Sequence, residues 1–424
     1  MRLLGAFSAL SLSLMLSPLS ARAQCTLAAP PTIVGRRASL EAPLVLTPHG
    51  DRTAVGWVVP ADSAGRDDDS AAIVLDASSR VASTLDPEQP QPGGGQFQRP
   101  IYRVSPVVRG ATLALNVDSR DDGEPNDSAV VCGAHRSPLV ETRVTRAGLV
   151  STYHLDATYQ CRLVAPERPF VFGARAELDG RGRLTGVIRL LAASDGARAL
   201  QSLTWQLPLR GNRGATESAA IDLLTQRNAL EGLSAVRVGD VGWFVVFRFD
   251  NALYGGWLDP SLTAIGALSA ITAAPMRAGI PALATNGREV LIVHAARRAE
   301  SEPWTLVAER VQPRAAPSAP QPIALSAPRG AHLFAPSIAA LSNGWALSYT
   351  QGPLRGVARA RDRQHVWLAA LDAQLAPRST PLRVSDDAGG SDGRALSFGT
   401  RIQVAYMGGQ DSFRSVRAAS ASCN

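Results

Sequence analysis

Two short phrases recur along this chain, and their recurrence limits the fold more than any other feature. The first is an apolar strand, a turn of two to four residues that usually holds glycine, and a second strand rich in β-branched and aromatic residues. It reads APLVLTPHGDRTAVGWVV at 42–59, SPVVRGATLALNV at 105–117, SAVRVGDVGWFVVF at 234–247, PALATNGREVLIVH at 281–294, PSIAALSNGWALSY at 336–349 and GRALSFGTRIQVAY at 393–406. The second phrase is an apolar strand, Leu-Asp, a turn and another apolar strand: AAIVLDASSRVASTL at 71–85, ARAELDGRGRLTGVIRL at 174–190, YGGWLDPSLTAIGAL at 254–268 and VWLAALDAQLAPRSTPLRV at 366–384. Asp76, Asp179, Asp259 and Asp372 sit where an Asx-turn reverses a hairpin by bonding the backbone two residues on. They read as turn formers rather than as catalytic acids.

One phrase of each kind makes a four-stranded antiparallel unit. The first phrases start near 43, 102, 234, 280, 335 and 393, mostly 46 to 59 residues apart, and the gap from 102 to 234 is about two periods. ALQSLTWQLPL (199–209) with AAIDLLTQRNALEGL (219–233) fills that gap as a seventh unit; if 219–233 is instead a short helix, the units number six. Six or seven four-stranded sheets at this period predict an all-β chain, a β-propeller whose radial stacking buries both faces of each sheet. The composition agrees: 45% hydrophobic residues supply a core, and 37 glycines and 29 prolines, scattered, favour turns over long helices.

The chain resembles secreted bacterial β-propellers with degenerate blades, of sialidase type or TolB type in outline. The resemblance lies in the blade rhythm. The Ser-x-Asp-x-Gly-x-Thr-Trp box of sialidase-type propellers and the Trp-Asp endings of WD repeats are absent, so no site residue is carried over.

The N-terminus explains where such a domain would work. Arg2, an apolar stretch from Leu3 to Leu16, and Ala21-Arg22-Ala23 form a signal peptide with cleavage after Ala23. The apolar stretch is shorter than the ~20 residues of a membrane span. The expected domains are therefore a signal peptide at 1–23 and one propeller at 24–424, exported to the periplasm or beyond, with no membrane span and as a monomer. A lipoprotein at Cys25 is the minor alternative, with Gln24 in the place of the small residue such signals use. All 43 basic residues are arginine, and without Arg2 and Arg22 the count is 41 arginines against 36 acids. That mild, dispersed excess is not the concentrated stripe of a nucleic-acid binder.

Two loops depart from the rhythm. PEQPQPGGGQFQRP (87–100) is a Pro, Gln and Gly linker. The segment from Ser119 to Val164 reads as an insertion carrying Cys132 and Cys161, and insertions of this kind mark the binding face of a propeller. Three acidic clusters stand out: Asp67-Asp68-Asp69, the run DSRDDGEPND (118–127), and Asp386-Asp387 with Asp392. The middle one reads as a solvated loop, with no cofactor predicted; the alternative is a loose oxygen cage for Ca²⁺ from Asp118, Asp121, Asp122, Glu124 and Asp127, since Arg120 and Ala129 exclude an EF-hand. In RGVARARDRQH, the side chains of Arg359, Arg361 and Arg363 share one face if the stretch is extended. The first reading of the stretch is a solvated hairpin tip, and the alternative is that, with Arg355, they make an anion-binding comb. Gly389-Gly390-Ser391-Asp392-Gly393 matches a hydrolase nucleophile elbow in letters only, since no helix is expected after it and no histidine follows His365. The six histidines lack the pairing a zinc site needs.

The reading that results is a non-enzymatic propeller that recognises a protein or a glycan through its loop-bearing face. The alternative is a propeller glycoside hydrolase or lyase acting on an extracellular polysaccharide, which needs a carboxylate pair. Four cysteines in an exported chain imply bridges. Ring closure predicts Cys25 with Cys423, the strand TLAAPPTIV lying beside 393–420, and leaves Cys132 with Cys161.

Overall fold

The computed structural model describes residues 25–39, 43–60, 69–85, 101–109, 112–119, 127–132, 140–144, 150–154, 170–178, 184–194, 197–207, 231–249, 251–259, 264–272, 275–354, 363–409 and 414–423. These residues contain strands and no helix. Strands β1 (Cys25–Leu27) and β2 (Thr32–Ala38) wait for the other end of the chain. Sheet 1 is β3 (Val45–His49), β4 (Arg52–Val59), β5 (Asp69–Leu75) and β6 (Val81–Leu85). Sheet 2 is β7 (Ile101–Arg109), β8 (Thr112–Ser119), β9 (Asp127–Cys132), β10 (Val140–Val144) and β11 (Val150–His154). Sheet 3 is β12 (Phe170–Leu178), β13 (Leu184–Ser194) and β14 (Ala197–Leu207); sheet 4 is β15 (Glu231–Val238), β16 (Gly242–Phe249), β17 (Ala252–Leu258) and β18 (Ala264–Ala270).

Sheet 5 divides its first strand into β19 (Arg277–Ala278) and β20 (Ala282–Thr285), followed by β21 (Val290–Arg297), β22 (Thr305–Val311) and β23 (Gln321–Pro322). Sheet 6 is β24 (His332–Leu341), β25 (Gly344–Gly352), β26 (His365–Leu371) and β27 (Leu382–Arg383). The closing sheet holds β28 (Gly390–Phe398), β29 (Arg401–Gly408) and β30 (Arg414–Cys423), with β1 and β2 both paired to β30. Among the described residues every pairing is antiparallel, and the architecture is a β-propeller of meandering sheets.

Alternation drives the stacking, because successive side chains of a strand leave on opposite faces. In β25, Trp345, Leu347 and Tyr349 enter the core shared with sheet 5, while Ala346 enters the core shared with the closing sheet. Both faces are covered, so β21 opens with Val290, Leu291, Ile292 and Val293, all fully buried. Each large buried side chain of this kind contributes about 1.5–3 kcal/mol. Further cores lie between sheets 4 and 5, around Phe244, Trp257 and Ile292, and between the closing sheet and sheet 1, around Trp57 and Met407.

Hydrogen bonds from one sheet to the turn of the next reinforce the stack. Trp257 Nε1 donates to Ala315 O at 3.0 Å, Arg310 Nη2 to Ala373 O, and Gln403 Nε2 to Asp76 O. In each case the acceptor is a backbone carbonyl in the turn between the third and fourth strands of the following sheet.

The middle of the chain departs from the sequence reading. ARAELDGRGRLTGVIRL, expected to carry the last two strands of a unit, spans β12 and β13, the first two strands of sheet 3, and ALQSLTWQLPL supplies β14, its third. An apolar hairpin reads alike whichever pair of strands it supplies, so the assignment depends on its neighbours in the sheet. The segment 119–164, set apart as an insertion, supplies β9, β10 and β11 to sheet 2. Cys132 lies opposite Ala114 in that sheet, whereas Cys161 and Asp179 fall outside the described residues.

The two chain ends meet as ring closure predicts. Cys25 is in register with Cys423, and the two are bonded, with Cα atoms 4.1 Å apart.

Candidate functional site

Meandering strands put the turns of a sheet at alternating ends. The turns between first and second strands and between third and fourth strands share one end. The links between second and third strands, and from sheet to sheet, share the other, here called the connection end. Three groups that the sequence singles out attach there: the acidic run between β8 and β9, the arginine-rich link between β25 and β26, and Asp386 and Asp387 between β27 and β28.

Of the arginine comb, Arg363 is described and Arg355, Arg359 and Arg361 lie outside the described residues. Of the acidic cage, the backbone of Asp118 is in register with that of Ser128, and Asp127 with Ser119. Asp121, Asp122 and Glu124 lie outside the described residues, among which no cluster of metal ligands occurs.

Around the link from β27 to β28 the charges are arranged in detail. Arg363 Nη1 donates to Asp387 O, and Arg383 Nη2 pairs with Asp387 Oδ1 at 2.7 Å. Next to them the Ser385 hydroxyl accepts from Val366 N at 3.1 Å and lies 3.1 Å from His365 Nδ1. Burial and then the nearby Arg383 hold the His365 ring below its ordinary pKa, so it is neutral at pH 7. The Ser385 hydroxyl, with one proton and two lone pairs, can accept from Val366 and still either donate to Nδ1 or accept from it.

Asp386 pairs with Arg417, which lies opposite Tyr406 across β29 and β30. Burial, followed by the Asp386 charge, pushes the Tyr406 hydroxyl up to about 12, so it keeps its proton.

A second group sits at the start of β28, on the side facing sheet 1. Asp392 Oδ1 pairs with Arg394 at 2.6 Å, and Oδ2 accepts from the backbone N of Leu44 at 3.1 Å. Arg414, 7% exposed, donates from Nη1 to Ser391 Oγ at 3.2 Å. Asp392 has a φ of 53°, at a bulge between Ser391 and Arg394. The same feature recurs at Ala335, φ 48°, in the bulge of β24, so it belongs to the blade design and does not mark chemistry by itself.

Among the described residues, the two groups together bring five arginines (363, 383, 394, 414 and 417) and three aspartates (386, 387 and 392) to one end of two adjacent sheets. Each aspartate is in an ion pair with an arginine. The excess of guanidinium groups, planar and able to fork onto two oxygens, suits a carboxylate.

Sequence reasoning reached Arg363 and noticed Asp386, Asp387 and Asp392. It passed over Arg383, Arg394, Arg414 and Arg417, whose spacing matches no motif. The elbow-like run at 389–393 passes straight into strand β28, and Ser391 is buried as an acceptor for Arg414.

No protein-family model matches the chain, and no curated protein does. Among solved structures, the chain is similar to a mutant of Trypanosoma rangeli sialidase displaying trans-sialidase activity, at 9% identity and TM-score 0.39, over 93% of this chain and 59% of that one. It is similar to a thermostable family-43 glycoside hydrolase at 10% identity and TM-score 0.36, over 85% and 99% of the two chains. A puromycin-hydrolyzing peptidase of Mycobacterium tuberculosis follows at 11% identity and TM-score 0.41, over 92% and 56%. Likeness at this level says nothing of substrate or reaction.

Proposed function

We propose that this chain is an exported, seven-bladed β-propeller that binds an acidic glycan at its connection end. Seven blades are supported by the order of packing. β3 lies on β7, β12 on β8 and on β15, β15 on β20, β20 on β24, β24 on β28, and β28 on β3, which returns to the start. Export is supported by the Cys25–Cys423 bridge, since such bonds persist in oxidising compartments.

The observation that carries the binding reading is the excess of arginines over aspartates, among the described residues, around the link from β27 to β28. Polygalacturonate, titrated against the full chain beside neutral dextran, is expected to bind and to weaken with added salt. Replacing Arg363 and Arg383 together by alanine is expected to weaken it about tenfold by removing charge-assisted hydrogen bonds. Equal binding of the two polymers, or none, overturns the reading.

A second reading, glycoside hydrolysis, is favoured by the placement of Asp386 and Asp392 on the same end of the closing sheet. Release of reducing ends from either polymer, lost in Asp392→Asn, would establish hydrolysis in place of binding alone.

A further inference from the structure

In four sheets the same position of the second strand holds a buried ring: Trp57, Phe247, Tyr349 and Tyr406. Each follows by four residues the one paired with the last apolar residue of the third strand, or with its counterpart in the closing sheet: Thr53 with Leu75, Trp243 with Leu258, Trp345 with Leu371, and Ile402 with Ala421. In sheet 5, where Val290 pairs with Val311, the position is His294, fully buried. The diagonal neighbour on the third strand is Ile73, Gly256, Ala369 or Ala419 elsewhere, and in sheet 5 it is Glu309, also fully buried. A histidine and a glutamate here fill the space that an aromatic ring and a smaller or aliphatic residue fill in those four sheets.

The hydrogen bonds count the protons. His294 Nδ1 lies 2.9 Å from Ala295 O, which only accepts, so Nδ1 carries a proton. His294 Nε2 lies 2.9 Å from Glu309 Oε1, and a bond between them needs a second proton, on either atom. The pair is neutral both as imidazolium with carboxylate and as imidazole with carboxylic acid.

Its surroundings are apolar. The same face of sheet 5 carries Val290, Ile292, Val307 and Val311, and the facing side of sheet 4 carries Ser234, Val236, Val238, Phe244, Val246, Leu253 and Trp257. On that facing side Arg248 donates from Nε to Ala278 O at 2.8 Å and from Nη2 to Asn251 Oδ1 at 2.7 Å, and Glu231 of β15 is its register partner. A bare carboxylate in such a place, without its proton-sharing histidine, would be strongly disfavoured.

We propose that His294 and Glu309 form a proton-holding latch between sheets 4 and 5, which makes the stability of this propeller fall as the medium turns alkaline. The sign follows from counting. In an unfolded chain near neutral pH the histidine is mostly neutral, with a pKa of about 6.5, and the glutamate ionised, with a pKa of about 4.3, so they hold one proton fewer than the folded pair. Folding therefore takes up a proton above about pH 6.5, and the folding constant falls tenfold per pH unit from this pair. Below about pH 4.3 the unfolded chain holds one proton more than the folded pair, and stability falls in that direction too.

The test is reversible urea unfolding of the full chain, disulfide intact, from mildly acidic to mildly alkaline pH. Glu309→Gln keeps the shape and lets neutral His294 accept from an amide, while the double replacement His294→Tyr with Glu309→Ala installs the arrangement of sheet 6. Both are expected to lose one proton's worth of slope, so the ratio of wild-type to variant folding constants falls tenfold per pH unit above about pH 6.5. Parallel pH profiles overturn the proposal. The wild type alone offers a second check, whichever variant folds: ¹⁵N-histidine spectra are expected to show a buried ring with a protonated Nδ1. A buried His294 ring bare at Nδ1 overturns it equally.

Discussion

Asp76 turns the chain with a single side chain. Its Oδ1 accepts from Ser78 N at 2.8 Å, Ser78 Oγ at 2.7 Å and Arg80 N at 2.9 Å, while Ser79 takes the left-handed conformation at φ 63°. Asp372 repeats this, accepting from Gln374 N at 2.8 Å and Ala376 N at 2.9 Å, with Leu375 left-handed at φ 68°. These are the Asx-turns that Leu-Asp implies, and they needed no tertiary information. Asp76→Ala is expected to cost about 1 kcal/mol in urea unfolding at neutral pH, by analogy with lost caps. The hydrogen bonds from Arg80 and Ser78 hold the Asp76 carboxyl below its ordinary pKa. A lowered folded value stabilises above the unfolded pKa of about 3.9 and is lost as pH falls. The difference between wild type and variant should therefore shrink toward pH 3, modestly because the group is exposed; a difference that grows in acid would refute this account.

At the scale of the element, the two recurring phrases fit each other physically. A Cβ placed on Gly344 would lie 2.1 Å from Leu371 O, and one on Gly242 would lie 2.0 Å from Leu258 O. The glycine of the first phrase thus makes room for the carbonyl of the Leu-Asp in the second, one strand away. Gly344→Ala is expected to destabilise by about 1–3 kcal/mol, as overpacking does. Gly287→Ala, in the corresponding turn of sheet 5, meets no atom within 4 Å but has a φ of 85°, so it carries a conformational cost alone. Gly344 has a φ of 157°, so its variant carries a backbone cost as well as the crowding, and a smaller loss at Gly344 than at Gly287 in thermal melts would contradict the fit described. The hairpins themselves were legible because their period and turns are local. The rank of 174–190 within its sheet was not, since it is decided by which strands lie beside it.

For the whole molecule, closure is the decisive event. β30 receives β1 and β2 from the opposite end of the chain, and the bridge joins residues 398 apart in sequence. In the chain-entropy model a loop of that length is worth roughly 5–6 kcal/mol, through the unfolded state. Replacing Cys25 and Cys423 by alanine should lower the melting temperature markedly while leaving the strand content in circular dichroism unchanged below the transition. An unchanged melting temperature would mean that strand pairing and the Trp57 core close the ring without covalent help.

The sequence alone determined the strand rhythm, the turn chemistry and the partner of each terminal cysteine, because alternation and Asx-turns depend on residues a few positions apart and closure has to join the chain ends. Only the tertiary structure decided which charges meet. Leu44 N finds Asp392 at a separation of 348 residues, and Arg414 folds back to Ser391 at 23. His294 meets Glu309 at 15, where a register slip of one residue would have sent the two to opposite faces. Such pairs are set by register and by stacking of sheet on sheet, which no spacing within a single strand records.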